Sequence, residues 1–242
     1  MRGNGSEEDR IMYFPLLNIF YLGVQKSGST SLSAWPFDNG IRHPKKFPSD
    51  PEYAEKEVHY FNTDNLHGQG TEFHSKRFQH CADNSNITTR FTMNATPNYF
   101  LYPDRVHGFY SYPEAADTLS RLKLIVTLRE PMSREMPIYY HKVDHFQVLR
   151  YSNAWYSDIT FENGTVVSFD QYTSIFLKHQ VSNPSSKSTG KYVDHLKHWV
   201  TLFGYKKILV LSCDKLKEHP STIKKRIGEF WEAHLQVRFR KQ

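Results

Sequence analysis

Cysteine is nearly absent from this chain. Cys81 and Cys213 are the whole supply in 242 residues, too few for a disulfide framework and without the spacing of a metal site. One bridge or two buried thiols remain as readings, the second being the ordinary state of isolated cysteines. Long apolar runs are missing too. The longest, Ile11 to Val24, is broken by Pro15 and Asn18 and is too short to span a bilayer. The opening MRGNGSEEDR carries no signal-peptide pattern, so membrane attachment is expected only through a segment not present here. Glycine and proline, 12 of each, are too sparse for a low-complexity or collagenous chain, and 38% apolar with 15% aromatic residues argues against disorder. There is no internal repeat.

What is abundant is positive charge. Lys and Arg outnumber Asp and Glu by 31 to 25, giving a formal charge of +6, with 13 His in reserve. That balance favours an anionic ligand: a nucleic acid, an acidic glycan, a phosphorylated nucleotide or a membrane surface. Nucleic acid has only net charge behind it, since no basic-aromatic motif is present, and no nucleic-acid partner is expected. Four N-x-[ST] triplets begin at Asn4, Asn86, Asn94 and Asn163 and point to a secretory-pathway lumen.

Hydrophobic patterning predicts one α/β domain, of a length suited to a single core. PLLNIFYLGV reads as a buried strand, followed by a helix from Ser29-Thr30 whose length Pro36 limits. Lys56 to Phe61 is a short strand candidate, and Leu122 to Glu130 the clearest buried strand. A helix with a poor start follows in PMSREMPIYYHKV. FDQYTSIFLKHQ is amphipathic at helical spacing. Gly190 to Gly204 places Tyr192, Leu196, Trp199 and Phe203 on one helical face, with Gly204 as the stop. KKILVLSCDKL reads as another buried strand, and STIKKRIGEFWEAHL as a terminal helix capped by Ser221 or Thr222. Asn183 to Gly190 is the best mobile loop. Strands alternating with helices predict a mainly parallel sheet flanked by helices.

The segment FYLGVQKSGST, Phe20 to Thr30, carries the chemistry. Gly23 and Gly28 keep the spacing of the nucleotide-triphosphatase loop G-x-x-x-x-G-K-[ST], but the lysine is Lys26, two residues before the second glycine. No D-x-x-G or strand-end carboxylate for Mg²⁺ accompanies it, which disfavours a kinase or NTPase. A strand, a glycine turn and a helix N-terminus still form an anion site, because backbone N–H groups converge there and the helix dipole adds positive charge.

GVQKSGSTSL resembles the 5′-phosphosulfate loop of sulfotransferases that use 3′-phosphoadenosine 5′-phosphosulfate (PAPS), roughly G-x-x-K-[ST]-G-[ST]-[ST]-x-L. Gly23, Lys26, Ser27, Gly28, Ser29, Thr30 and Leu32 match. LIVTLREPMSREMPIYYH resembles the family's 3′-phosphate element through Leu128, Arg129, Pro131, Arg134 and Tyr139. EKEVHYFN resembles K-E-x-x-[FY]-F of the heparan sulfate branch, STGKYVDHLKHW its G-x-Y-x-x-x-L-x-x-W helix, and NATPNYF a segment beside the acceptor cleft. These motifs occur in family order from residue 17 to about 231.

The resemblance implies a P-loop-like sulfotransferase fold over residues 15–242, with residues 1–14 a flexible extension, in the Golgi lumen or secretory pathway. It implies PAPS as sulfuryl donor, no metal, and a carbohydrate acceptor, a polyanionic glycan of the heparan sulfate kind. Gln25, Lys26, Ser27, Gly28, Ser29 and Thr30 would hold the 5′-phosphosulfate, and Arg129, helped by Ser133, the 3′-phosphate. Glu57 would be the base, with His59 an alternative base, and Lys56 would meet the acceptor. Lys26 would steady the leaving oxygen. Two departures accompany the match. Pro137 stands where the family has a phosphate-holding serine, and no nucleotide-closing loop is visible after the last helix. They motivate the alternative of a non-catalytic relative that binds an anionic glycan or nucleotide.

Overall fold

The computed structural model describes residues 17–38, 41–48, 55–78, 92–111, 116–149, 157–182 and 190–235. Among them four strands, β1 (Leu17–Gly23), β2 (Thr92–Asn94), β3 (Lys123–Leu128) and β4 (Ile208–Ser212), form a parallel sheet in the order β2-β1-β3-β4. The helices are α1 (Ser29–Asp38), α2 (Asp64–His67), α3 (Gly70–Lys76), α4 (Pro103–Tyr110) and α5 (Ala116–Arg121). They continue with α6 (Pro131–Leu149), α7 (Phe169–Ser182), α8 (Tyr192–Phe203), α9 (Cys213–Glu218) and α10 (Pro220–Leu235). The α/β class and the parallel sheet are as the sequence predicts.

Strand alternation sorts the core onto two faces. Phe20 and Leu22 of β1, with Leu124 and Val126 of β3, meet Val106 and Phe109 of α4 and Trp199 and Phe203 of α8. Ile19, Tyr21 and Ile125 point the other way, against Leu32 of α1 and Ile223, Ile227 and Trp231 of α10. Trp35 stacks on Trp231 at 5.6 Å, closing that face. Trp199 donates its indole N–H to the Phe100 carbonyl at 2.9 Å, so Trp199 belongs to the core. Gly204 ends α8 with φ of 80°, as expected of a glycine stop.

Several expectations are corrected. Lys56 to Phe61 is not a strand; it is irregular backbone. His59 there has φ of 56°, a left-handed conformation incompatible with an extended run. The segment is fixed instead by bonds to the region after β2. Ala95 N–H donates to the Lys56 carbonyl at 3.1 Å, His59 N–H to Thr96 Oγ1 at 3.4 Å, and Tyr60 N–H to the Tyr99 hydroxyl at 2.9 Å. β4 is only partly buried, with Leu211 inside and Val210 39% exposed, because it pairs with β3 alone among the described strands.

Proline ends neither helix that contains it. α1 runs through Pro36 to Asp38, and α6 runs through Pro137. α10 begins at Pro220, ahead of both Ser221 and Thr222, so neither precedes the helix as a cap. A first-position proline is suited to that site because its missing N–H has no intrahelical partner anyway. α6, whose start reads poorly in the sequence, is capped by Glu130, its carboxylate accepting from Met132 N–H at 3.0 Å and Ser133 N–H at 2.6 Å. Residues 1–16, 183–189 and 236–242 lie outside the described residues, so the extension, the predicted mobile loop and the chain end are not part of this description.

Candidate functional site

β1 delivers the chain into the Gly23–Thr30 loop, and α1 carries it away. Gly23 has φ of 98°, and a Cβ there would lie 1.8 Å from the Pro97 carbonyl oxygen. Only glycine allows the loop and the segment after β2 to approach so closely. Lys26 has φ of 61° and Gly28 φ of 85°. Lys26 and His59 are the only non-glycine residues with positive φ among those described. Each such conformation costs on the order of 1–2 kcal/mol, and such strain clusters where side-chain direction matters.

Ser27 is fully buried, and its hydroxyl has no hydrogen-bond partner among the described residues. A buried orphan hydroxyl in a glycine turn is a group waiting for a ligand atom. Ser29 and Thr30 open α1, whose first-turn amides lack intrahelical acceptors. Gln25 sits half-buried in the same loop. Burial lowers the Lys26 ammonium's pKa, the Glu57 carboxylate draws it back up, and Lys56 adds to the lowering. The two lysines and the glutamate therefore share one electrostatic neighbourhood.

Lys56 links the loop to that glutamate. Its ammonium donates to Glu57 Oε1 at 2.7 Å and reaches the hydroxyls of Ser29 at 3.5 Å and Thr30 at 3.4 Å. His59 Nε2 lies 3.2 Å from Glu57 Oε2, while its Nδ1 lies 3.1 Å from Asn62 Nδ2. Nε2–H donates to Glu57, and Nδ1, which also lies 3.3 Å from Asn62 Oδ1, is held by the Asn62 amide on the ring's other side. Burial pushes the Glu57 carboxyl up, but the His59 bond and the Lys56 charge more than offset it, and the net shift is downward. Glu57 is thus an ionised carboxylate at neutral pH, oriented on both oxygens.

On the other side of the loop, Arg129 directly follows the end of β3. Its Nη1 donates to the Lys26 carbonyl at 3.3 Å, while its buried Nε has no partner among the described residues. The Tyr192 hydroxyl donates to the Arg129 carbonyl at 2.8 Å and accepts from Arg134 Nη1 at 3.2 Å. Arg134 itself is fully buried and ion-paired with Glu135, whose other oxygen accepts from Tyr172 at 2.6 Å. Arg134 therefore holds α6, α7 and α8 together rather than offering a free fork. Tyr139 is also structural, donating to the Val167 carbonyl at 2.6 Å. Ser133 is exposed, with its backbone N–H taken by Glu130.

A cleft of about 370 Å³ opens between the loop and α9–α10. It brings Lys26, Gly28 and Arg129 together with Cys213, Lys217 and Lys224. The last three were not singled out from the sequence as site residues. Lys217 of α9 and Lys224 of α10 are brought to the loop together only by the chain turn at Pro220. Cys213 is buried, which raises its thiol pKa, while Lys217 and Arg129 pull the other way. His141 of α6 was missed as well. Burial lowers its pKa, reinforced by Lys26 and His145, while Glu57 opposes the shift. It therefore stands near both candidate catalytic charges.

The arrangement can bind an anion in the loop, place a cation beside it, and present a carboxylate to an incoming proton donor. Among the described residues no group of three or more His, Cys, Asp or Glu side chains is placed to hold a metal ion. No helix there is long and apolar enough to cross a membrane. Of the glycosylation triplets, Asn94 is fully buried and its amide donates to the Tyr99 hydroxyl at 3.3 Å, so that triplet is closed to modification. Asn163 is exposed. Asn4 and Asn86 lie outside the described residues.

A family model described as a sulfotransferase domain matches residues 17–240. The mouse (Mus musculus) bifunctional heparan sulfate N-deacetylase/N-sulfotransferase 4 is 25% identical over 219 residues, covering 86% of this chain and 21% of that protein. Human (Homo sapiens) heparan sulfate glucosamine 3-O-sulfotransferase 5 is 24% identical over 228 residues, covering 90% of this chain and 55% of that protein. The chain thus spans about a fifth of the first relative's length and about half of the second's. A sulfotransferase structure from Alicyclobacillus acidocaldarius superposes with a TM-score of 0.56 at 16% identity, covering 89% of this chain and 80% of that one. At that identity the likeness speaks for the fold.

Proposed function

Since the chain belongs to the sulfotransferase domain family, we infer that it transfers the sulfuryl group of PAPS to a hydroxyl or amine of an acidic glycan. The observation that carries this reading is Lys56, which binds Glu57 at 2.7 Å and reaches the loop hydroxyls of Ser29 and Thr30 at 3.4–3.5 Å. It ties a carboxylate base directly to an anion loop.

The donor, a substrate here, supplies an activated sulfur whose bond to the 5′-phosphate oxygen breaks as the acceptor's oxygen or nitrogen bonds to it. The loop fits such a group. The orphan Ser27 hydroxyl, the Gly28 turn and the first-turn amides of α1 offer uncompensated donors to the 5′-phosphosulfate. Lys26 stands beside the oxygen on which charge grows, so its ammonium favours the transition state over the ground state. Glu57 takes the acceptor's proton on a carboxylate oxygen. The contact of His59 Nε2 with Glu57 at 3.2 Å supports reading His59 as a positioning residue, with Glu57 as the base. Arg129 offers its unpartnered Nε to the 3′-phosphate.

The relatives named for heparan sulfate support an acidic glycan as acceptor, as does the net positive charge. The exposed Asn163 triplet fits a secretory-pathway, Golgi-type lumen. The non-catalytic alternative retains one observation in its favour, Pro137 inside α6, which presents neither hydroxyl nor N–H. Titration of 3′,5′-bisphosphoadenosine separates the two readings. The enzyme binds it at micromolar concentration and consumes PAPS, releasing 3′,5′-bisphosphoadenosine, only when acceptor glycan is present to take the sulfuryl group. Glycan binding without nucleotide binding would leave the enzyme reading without support.

A further inference from the structure

Four cations line the cleft beyond the loop: Lys26, Arg129, Lys217 and Lys224. Among the described residues no carboxylate lines it; Asp214, beside Cys213 in the chain, is not among the lining residues. Neighbouring lysines on the same two helices behave differently. Lys215 is tied to Glu218 at 2.8 Å, and Lys225 lies 3.8 Å from Glu229. Lys217 and Lys224 have no ion pair or hydrogen bond among the described residues.

α9 is held close to the loop. A Cβ added at Gly28 would meet Leu216 Cδ2 at 3.0 Å and Cys213 Sγ at 3.8 Å. The chain then turns at Pro220 into α10, which brings Lys224 to the same cleft. Lys26 has Glu57 nearby, but Lys217 and Lys224 bring two further positive charges to the cleft with no carboxylate paired to them among the described residues. That is unfavourable unless an anion joins them. Lys26 and the loop already serve one anionic group. α6 offers little to a second, because Pro137 lacks both hydroxyl and N–H and Arg134 is occupied by Glu135 and Tyr192.

The geometry points to Lys217 and Lys224 as a second phosphate clamp. Together with Arg129 they hold the phosphate of a nucleoside bisphosphate that lies away from the Gly23–Thr30 loop. This rests on the donor reading above and names the residues that replace what α6 lacks. A cleft of about 370 Å³ lies within the range of small-ligand sites.

The test is calorimetric titration of the full chain with two probes, 3′,5′-bisphosphoadenosine and adenosine 5′-monophosphate. Their affinity ratio isolates the second phosphate. The Lys217→Ala/Lys224→Ala double variant is expected to lower that ratio roughly tenfold. Lys215→Ala/Lys225→Ala, which removes the same charge from the same helices, leaves the ratio unchanged. All four lysines are exposed, so folding is retained, and thermal melting checks it. If the wild type prefers the bisphosphate and the Lys217/Lys224 variant keeps that preference, the clamp is overturned while the donor reading stands. An equal loss in the Lys215/Lys225 variant overturns the clamp too, because it reduces the effect to net charge. If the wild type binds neither probe, the donor reading falls and the clamp falls with it.

Discussion

Replacing Gly23 with alanine tests how the loop is built. The new Cβ would lie 1.8 Å from the Pro97 carbonyl oxygen, 2.4 Å from its carbon and 2.5 Å from Pro97 Cα. Relief requires backbone to move by roughly 1.5 Å to reach ordinary contact. That backbone cannot move alone. Thr96 accepts from His59 N–H at 3.4 Å and donates to Asn94 Oδ1 at 2.8 Å, and its carbonyl accepts from Tyr99 N–H at 3.2 Å. Overpacking costs about 1–3 kcal/mol, and a left-handed alanine adds about 1–2 kcal/mol. The expected loss is about 2–5 kcal/mol, a large part of a typical total of about 5–15 kcal/mol.

Gly164 is the control, since it has φ of 79° and nothing within 4 Å of an added Cβ. Gly164→Ala should lose only the conformational share, about 1–2 kcal/mol. Urea unfolding followed by tryptophan fluorescence reads both variants, with unchanged slope required for comparison. Because the loop starts at Gly23, nucleotide binding should weaken in that variant alone. Equal destabilisation of the two would refute the claim that close approach, rather than φ, fixes this glycine.

Lys56→Met removes the cation that helps to keep the buried Glu57 carboxyl ionised. The acidic limb of the pH profile of kcat/KM should move to higher pH, since burial then pushes with less opposition; an unmoved limb contradicts Glu57 as base. His74 is fully buried among Tyr60, Phe61, Phe78 and Phe109, and burial lowers its pKa to about 3 from 6.5. The unfolded chain therefore takes up a proton that the folded one refuses, and stability falls as pH drops from about 6.5 towards 3. His74→Phe should flatten that fall in urea titrations across the window, and an identical slope would refute it. Pro137→Ser supplies a hydroxyl and an N–H within α6 and should tighten binding of 3′,5′-bisphosphoadenosine; unchanged affinity places the 3′-phosphate elsewhere.

Local pattern made much of this molecule legible. β1, the glycine loop and β3 follow from apolar runs ended by glycine or charge, and Gly204 from the need for positive φ at a helix stop. Elements whose form depends on distant partners were not legible. Lys56 to Phe61 carries strand-like residues, yet Thr96 and Tyr99, almost forty positions away, take its amides. Glu130 caps α6 where Ser133 had the more usual residue type, because the carboxylate spans two amides at once. Lys217 and Lys224 look like any helical lysines until the turn at Pro220 brings both beside Gly28 and Arg129. Arg134 matched a phosphate-element pattern, but its burial against Glu135 depends on α7 and α8, which no local signal reveals.

The most direct measurement is transfer of radiolabel from sulfur-labelled PAPS to a panel of acidic and desulfated glycans, comparing the wild type with Glu57→Gln and Lys26→Ala. The wild type should label at least one glycan, and each variant should lose about a hundredfold or more in kcat while its melting temperature holds. Wild-type transfer by both variants would contradict Glu57 as base and Lys26 as leaving-group cation, and a wild type that labels no glycan would contradict the glycan sulfotransferase reading itself.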